Sequence, residues 1–377
     1  MGRVIYCSGV RNRKLLWWIV GAVVVVLLGG GGIALAVGNH KKEPAAAASS
    51  APPVVISAEP SVSPTPSPTP SPGADINGPL DLVLLGVDTR VTIPDWEPHS
   101  DTIMLLHVER GLKKAYLYSL PRDLRVKMPA FAKAGFGGGT YKLTEAMSRG
   151  SRVPGTKKTN VNQGYELLTK VLTQYTGIKQ FQAGAILNFG GLDQLVDSLG
   201  GVDMVVDETV KSHHRKPDGT MRPLVPGGGD YSGPQAVYRP GKRHFVGWQA
   251  IDYARQRYGL PNGDYDRTRH QRQLVRAILG KALGQGLGDD PQKLQGVIRA
   301  LGKSLVYVGG RTPLEYAYAL RNLTPGGLTL VGLPGHGVGS GGGYLGEALT
   351  AEGKGFLTAA AKGQIAPYLA KHPKLVN

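Results

Sequence analysis

Leu15 to Val37 is a run of 23 residues without a charge (LLWWIVGAVVVVLLGGGGIALAV). At 1.5 Å per helical residue that length crosses the roughly 30 Å hydrocarbon layer of a bilayer. A backbone in lipid cannot pair with water and adopts a helix, even across the glycines Gly29 to Gly32. We therefore read residues 15–37 as one transmembrane helix, with Trp17 and Trp18 at its interface. Arg3, Arg11, Arg13 and Lys14 precede the run, and Lys41 and Lys42 follow it. The positive-inside rule then makes residues 1–14 a cytoplasmic tail and places the rest outside the cytoplasm. The expected location is the cell membrane, single-pass, with the body extracytoplasmic. A cleaved signal peptide is the competing reading, although its apolar region is usually only about 7 to 15 residues long.

Residues 38–78 form a linker rich in Pro, Ser, Thr and Ala, with SPTPSPTPSP at Ser63 to Pro72. Such a composition buries little and favours extended polyproline conformations. Residues 79–377 are the globular body. Six of the 44 Lys/Arg and three of the 27 Asp/Glu lie in the first 78 residues, which leaves +14 of the +17 formal charge on the body. That excess points to an anionic partner. Outside the cytoplasm the candidates are membrane phosphates and anionic wall polymers, and nucleic acid is not expected. Cys7 is the single cysteine, so an intramolecular disulfide and a cysteine-based zinc cage are excluded. The chain also lacks GxSxG, Walker, HExxH and SxxK signatures. Its glycine clusters at 135–139, 227–229 and 341–343 follow no dinucleotide fingerprint and read as loops.

Leu80 to Gly86, Thr102 to Val108 and Lys114 to Leu120 are short apolar runs bounded by turn residues or charges, the pattern of buried strands. Leu167, Leu168, Val171, Leu172 and Tyr175 recur at helical spacing. Ala185 to Phe189 and Val202 to Val206 read as strands with a short helix at Leu192 to Leu199 between them, and Arg267 to Leu283 as a long helix. Strands alternating with helices argue a sandwich around one central sheet. Asp88 ends the first strand and Asp101 begins the second. If those strands are neighbours, the two carboxylates lie at one sheet edge, where they either hold Mg²⁺ with phosphate oxygens or cap turns. Arg122, Arg255, Arg257, Arg267 and Arg269 offer planar forks that bind phosphate oxygens bidentately. Arg255 and Arg257 share a face only where the chain is extended, whereas Arg267 and Gln271 share one in a helix.

The ordered blocks LLGVDTR, HSDTIML, SLPRDLRV, YKLTEAM, DSLGGVDMVVD and GWQAIDYARQRYGLPNGDYDRTRHQRQ, from Leu84 to Gln273, resemble the LytR-CpsA-Psr family of wall glycopolymer transferases. RNLTPGGLTLVGLPG is similar to the C-terminal part of actinobacterial members. The resemblance implies a three-layer α/β/α sandwich with a central mixed sheet and an apolar cleft for a polyprenyl chain. It implies a Mg²⁺-dependent phosphotransferase that moves a glycopolymer, or its glycosyl-phosphate precursor, from a polyprenyl-pyrophosphate carrier to a peptidoglycan hydroxyl. On that reading Asp88 and Asp101 hold Mg²⁺, and Arg122, Arg255, Arg257 and Arg267 bind pyrophosphate oxygens. Lys142 and Gln271 lie nearby, Asp264 orients an arginine, and Asp88, Asp101, Arg122 and Arg257 form the catalytic group. Two positions depart from the family's pattern: Thr144 stands where Asn is usual, and His270 where many members have Arg. His270 at the site would give activity a pH dependence between about 5.5 and 7.5.

Three other readings use the same residues. A non-catalytic module would hold polyprenyl pyrophosphate or anionic polymer without product. A hydrolase would use water in place of the sugar hydroxyl. A membrane-bound regulator lacks room for a helix-turn-helix in the 14 residues before the span. Sugar specificity is expected in loops such as Lys211 to Arg243.

Overall fold

The computed structural model describes residues 72–88, 97–285 and 290–377. The expected cytoplasmic tail, the transmembrane helix and most of the linker lie outside the described residues. Among those described, no helix is long and apolar enough to cross a membrane. The end of the linker already touches the body, because Asp75 pairs with Arg311 and Ile76 packs against the core.

In chain order the first half comprises β1 (Leu80–Asp88), β2 (His99–Val108), β3 (Ala115–Leu120), β4 (Arg125–Met128), β5 (Gly139–Lys142), α1 (Glu145–Ser151), α2 (Val161–Thr176), β6 (Ala183–Asn188) and α3 (Phe189–Ser198). Then come β7 (Val202–Val206), β8 (Val210–Lys211), β9 (Val237–Tyr238), β10 (Gly241–Phe245), α4 (Gly247–Arg255), α5 (Asp264–Gly284) and α6 (Pro291–Leu301). The chain closes with β11 (Leu305–Gly309), α7 (Pro313–Leu320), β12 (Leu328–Val331), β13 (Gly335–Ser340), β14 (Gly343–Leu349), α8 (Ala351–Ala361) and α9 (Ile365–Lys371).

Six strands form the central sheet in the order β11-β6-β1-β2-β3-β12. β1 pairs antiparallel with β2 and parallel with β6, so the sheet is mixed. Side chains alternate between its two faces. Leu82, Leu84, Met104 and Leu106 pack against α3 to α7, while Val83, Leu85, Ile103 and Leu105 pack against α1, α2, α8 and α9. The result is the expected three-layer sandwich. Truncating Leu82 or Leu105, each no more than 1% exposed, to Ala would cost about 2–5 kcal/mol.

Local signals explain the boundaries. The Asn160 side chain accepts the Gln163 N–H at 3.1 Å to start α2, and Gly177, at φ 77°, ends it. Strand β6 passes directly into α3 because Asn188 caps the Gly191 N–H at 2.8 Å, so Phe189 is helical rather than the end of a strand. Val202 to Val206 does not join the main sheet. It forms a separate ribbon with β10, and its alternating burial shows one wet face. The glycines at 341–343 do not form a plain loop either. Gly341 and Gly342, both at positive φ, turn the β13–β14 hairpin, and Gly343 opens its second strand.

Candidate functional site

The β1–β2 ladder is irregular at its end. Gly86 faces Thr102 and Val87 faces Ser100, which leaves Asp101 as the extra residue of a bulge, while Asp88 stands opposite His99. A bulge re-aims its side chain. Asp88 and Asp101 therefore emerge at the same end of two adjacent strands.

The arginines converge on this edge. Arg122 follows β3, and its Nη1 donates to Asp101 Oδ1 at 2.6 Å. Burial works against the Arg122 charge, but Asp101, with Asp264 and Asp123 behind it, more than offsets this and raises the pKa. Arg267 lies in the first turn of α5 and is only 6% exposed. Its Nη2 donates to the Asp101 carbonyl at 3.3 Å and sits 2.7 Å from Asp264 Oδ1. Burial lowers the Arg267 pKa, and the like charges of Arg122 and Arg257 add to the lowering against the pull of Asp264. The Nε atoms of Arg122 and Arg267 and the Oε1 of Gln271, one turn along α5, are buried without a hydrogen-bond partner among the described residues. Buried polar groups left unsatisfied cost about 1–3 kcal/mol each, and an incoming phosphate oxygen would recover the donors' share.

Arg255 is the last residue of α4, and extended Gln256 (φ −66°, ψ 136°) separates it from Arg257. Its guanidinium lies over the Phe189 ring at 4.1 Å. Arg257 donates to the Tyr258 hydroxyl at 2.8 Å, and no carboxylate pairs with it among the described residues. This turn is pinned by a group absent from the expectations, Asp252. Its carboxylate accepts from Ser212 at 2.9 Å, Tyr238 at 2.7 Å and Gln256 at 2.8 Å. Burial raises the Asp252 pKa. Lys142 lies 3.5 Å from Asp123 and 4.8 Å above the Tyr344 ring. Thr144 contributes backbone: its N–H donates to the Arg122 carbonyl at 2.8 Å and its carbonyl accepts from Ser100 at 3.4 Å. This bracing of the site does not depend on the Thr144 side chain.

An apolar cavity of about 70 Å³ opens beside these groups. Leu84, Met104, Leu192 and Leu274 line it, with Thr102, Asn188, Arg255 and Gln271 as its polar members. Gly86 also lines it, and a Cβ there would come 2.9 Å from Thr102 Cβ. Ligand cavities usually measure about 300–1,000 Å³, so a long apolar chain would have to widen this one. An oily slot next to guanidinium groups suits an amphiphile with an apolar tail and an anionic head.

Two carboxylates at one strand end are hard oxygen donors of the kind Mg²⁺ prefers, and Arg122 engages one oxygen of Asp101. Asp88 and Asp101 thus fit the cation in donor chemistry. A different cluster, Asp207, Glu208 and His270, has its ligand atoms within 4.8 Å of one another. Arg269 fills it, at 3.0 Å from Asp207, 2.5 Å from Glu208 and 2.8 Å from Asp266. Arg269 therefore belongs to this cluster rather than to the arginines around Asp101. His270 does not join those arginines either. It is fully buried, stacked on Tyr253 at 4.5 Å, and 3.4 Å from both Asp207 and Glu208. Burial pushes its pKa down to about 4, so it stays neutral between pH 5.5 and 7.5 and cannot give the pH dependence expected of it.

The LytR_cpsA_psr family model matches residues 41–301. "Cell wall biosynthesis protein LcpA" of Corynebacterium glutamicum is 27% identical over 284 residues, 70% of this chain and 51% of that protein. "Polyisoprenyl-teichoic acid--peptidoglycan teichoic acid transferase TagU" of Enterococcus faecalis is 28% identical over 205 residues, 54% of each. The chain spans about half the length of these curated relatives. The crystal structure of protein gbs0355 from Streptococcus agalactiae superposes with a TM-score of 0.57 at 21% identity, covering 76% of this chain and 88% of that one. That likeness establishes the fold.

Proposed function

Because the chain belongs to the LytR-CpsA-Psr family, we propose that it is a phosphotransferase of cell wall assembly, moving a glycopolymer or its glycosyl-phosphate precursor from a polyprenyl-pyrophosphate carrier to a peptidoglycan hydroxyl. The observation that carries this reading is the apolar cavity that ends at Arg255 and Gln271, beside the buried and only partly satisfied guanidiniums of Arg122 and Arg267. The transferase named among the relatives supports the same class of reaction.

In this mechanism the cavity takes the polyprenyl tail, and Arg122, Arg255, Arg257 and Arg267 hold the pyrophosphate oxygens. A sugar hydroxyl attacks the glycan-bearing phosphorus. A phosphodiester forms, the bridging P–O bond breaks, polyprenyl phosphate leaves, and the hydroxyl proton passes to a strand-end carboxylate. Displacement at phosphorus spreads charge over nonbridging oxygens, so the barrier falls mainly through positioning and electrostatic stabilisation. Arg257 has no carboxylate partner among the described residues and can turn to the substrate at little cost, whereas Arg122 and Arg267 are held in place by Asp101 and Asp264. Lys142 completes the positive rim. Asp88 and Asp101 would hold Mg²⁺, which when bound would neutralise phosphate charge. The membrane span and linker would keep the cavity near its lipid.

The test is incubation of the full chain with a short polyprenyl-pyrophosphate oligosaccharide, Mg²⁺ and peptidoglycan fragments, followed by mass spectrometry. A phosphodiester-linked adduct that disappears with EDTA and in Arg257→Ala is the expected result. Free glycosyl phosphate would make the protein a hydrolase, and lipid retained unchanged would make it a carrier-binding module.

A further inference from the structure

Helix α5 separates two cavities. Gln271, Leu274 and Val275 face the apolar slot, while Asp264, Thr268 and Arg272, spaced by four, line a polar cleft of about 440 Å³ on a neighbouring face. The cleft's other walls are Pro121 and Asp123 after β3, residues 332–335, the β14 hairpin strand and the chain's last residues. It shares Asp264 with the arginine cluster, and Asp123 with Lys142. The arginine cluster thus lies between an oily compartment and a wet one.

The geometry points to this cleft as a saccharide subsite of the transfer reaction, an inference that rests on the proposed function. The first argument is charge. Five carboxylates and three cationic side chains line the cleft, so it does not suit a second polyphosphate. The second is chemistry. Tyr265 and Tyr344 both donate to Glu347, at 2.9 and 2.8 Å, and Tyr344 is 53% exposed. A partly open aromatic ring beside a carboxylate offers an apolar plate for a sugar face and an acceptor for its hydroxyls. The third is Arg272, which is 3% exposed and has no carboxylate partner among the described residues. Its Nη2 donates to Asn377 at 2.8 Å and its Nε has no partner. Burial, with the nearby Arg269 charge, pushes its pKa down to about 10. Such a group gains from a neutral oxygen, such as an acetamido or hydroxyl oxygen, placed against it. Much of the cleft comes from residues beyond 301, outside the family-matched region. It lies apart from the Lys211–Arg243 segment in which the sequence placed sugar specificity.

The saccharide has two sources, the peptidoglycan acceptor or the glycan of the lipid-linked donor, and one set of variants distinguishes them. The full chain in detergent is titrated with a short peptidoglycan glycan fragment, and KM is measured for acceptor and donor in Tyr344→Ala, Glu347→Gln and Tyr344→Phe. Loss of one stacking or hydrogen-bonding contact predicts about tenfold weaker fragment binding in the first two, with Tyr344→Phe restoring most of the ring's share. A shift confined to the acceptor identifies the cleft as the acceptor subsite. A shift confined to the donor KM identifies it as the donor's glycan subsite. Fragment binding and both KM values within about twofold of wild type, with thermal stability retained, would overturn the inference. The titration needs no turnover, so a chain that binds fragments through Tyr344 but transfers nothing refutes the transferase and leaves the subsite standing.

Discussion

His270 offers a direct test of how the α5 environment sets charge. Its folded pKa of about 4 lies below the roughly 6.5 of an exposed histidine. The unfolded chain therefore binds more protons between those values, and stability must fall as pH drops through 6.5. From pH 7.5 to pH 5 the linkage amounts to about 2 kcal/mol, or about 3 °C in Tm for a domain of roughly 300 residues. Carboxylates also titrate in this range, so the quantity to measure is the stability difference between wild type and His270→Gln, followed by circular dichroism melts across pH. Wild type should lose about 2 kcal/mol relative to the variant on acidification. A gap that stays constant between pH 7.5 and 5 would refute the buried neutral histidine. His270→Arg should leave the pH profile of transfer without the flattening that a site histidine would produce, and it should destabilise the fold by overfilling a site already occupied by Arg269.

Four further outcomes follow from the same geometry. Arg257→Ala should lower kcat/KM for transfer about 10- to 100-fold, the loss of one charge-assisted hydrogen bond, with Tm unchanged in thermal melts. Leu274→Trp should fill the apolar slot and raise the KM for the lipid donor, measurable by competition between donors of different chain length. EDTA should abolish transfer and Mg²⁺ should restore it, while the melting curve moves little, because the sandwich core does not depend on the cation. Asp252→Ala should cost about 3 kcal/mol in urea unfolding, since it leaves several buried donors without an acceptor.

The core strands and α2 were legible because their burial follows period: β1, β2 and β3 read as apolar runs, and Leu167 to Leu172 as a helix face. The positions of Asp88 and Asp101 also followed from strand ends. The bulge at Asp101 did not, because a one-residue excess has no signature in HSDTIML. The surroundings of His270 were not legible in its own segment: it was singled out only because many family members have Arg there, and Asp207 and Glu208, about sixty residues earlier in the chain, decide what it meets. Asp252 is the single acid of QAIDYARQ, and nothing in that segment shows that the fold brings Ser212 and Tyr238 to it. The C-terminal hairpin was missed because GHGVGSGGGY carries almost no side-chain pattern.

The bulge has a consequence for how this sheet edge could change. Directly opposed residues share a face, so deleting Asp101 would make the ladder regular while leaving Ser100 opposite Val87 and His99 opposite Asp88. Ser100, fully buried, would keep its place, and the edge would lose a carboxylate. Regular pairing and the acidic edge compete for one residue position. A more regular β2 is therefore open to this fold only as a strand that no longer anchors Arg122.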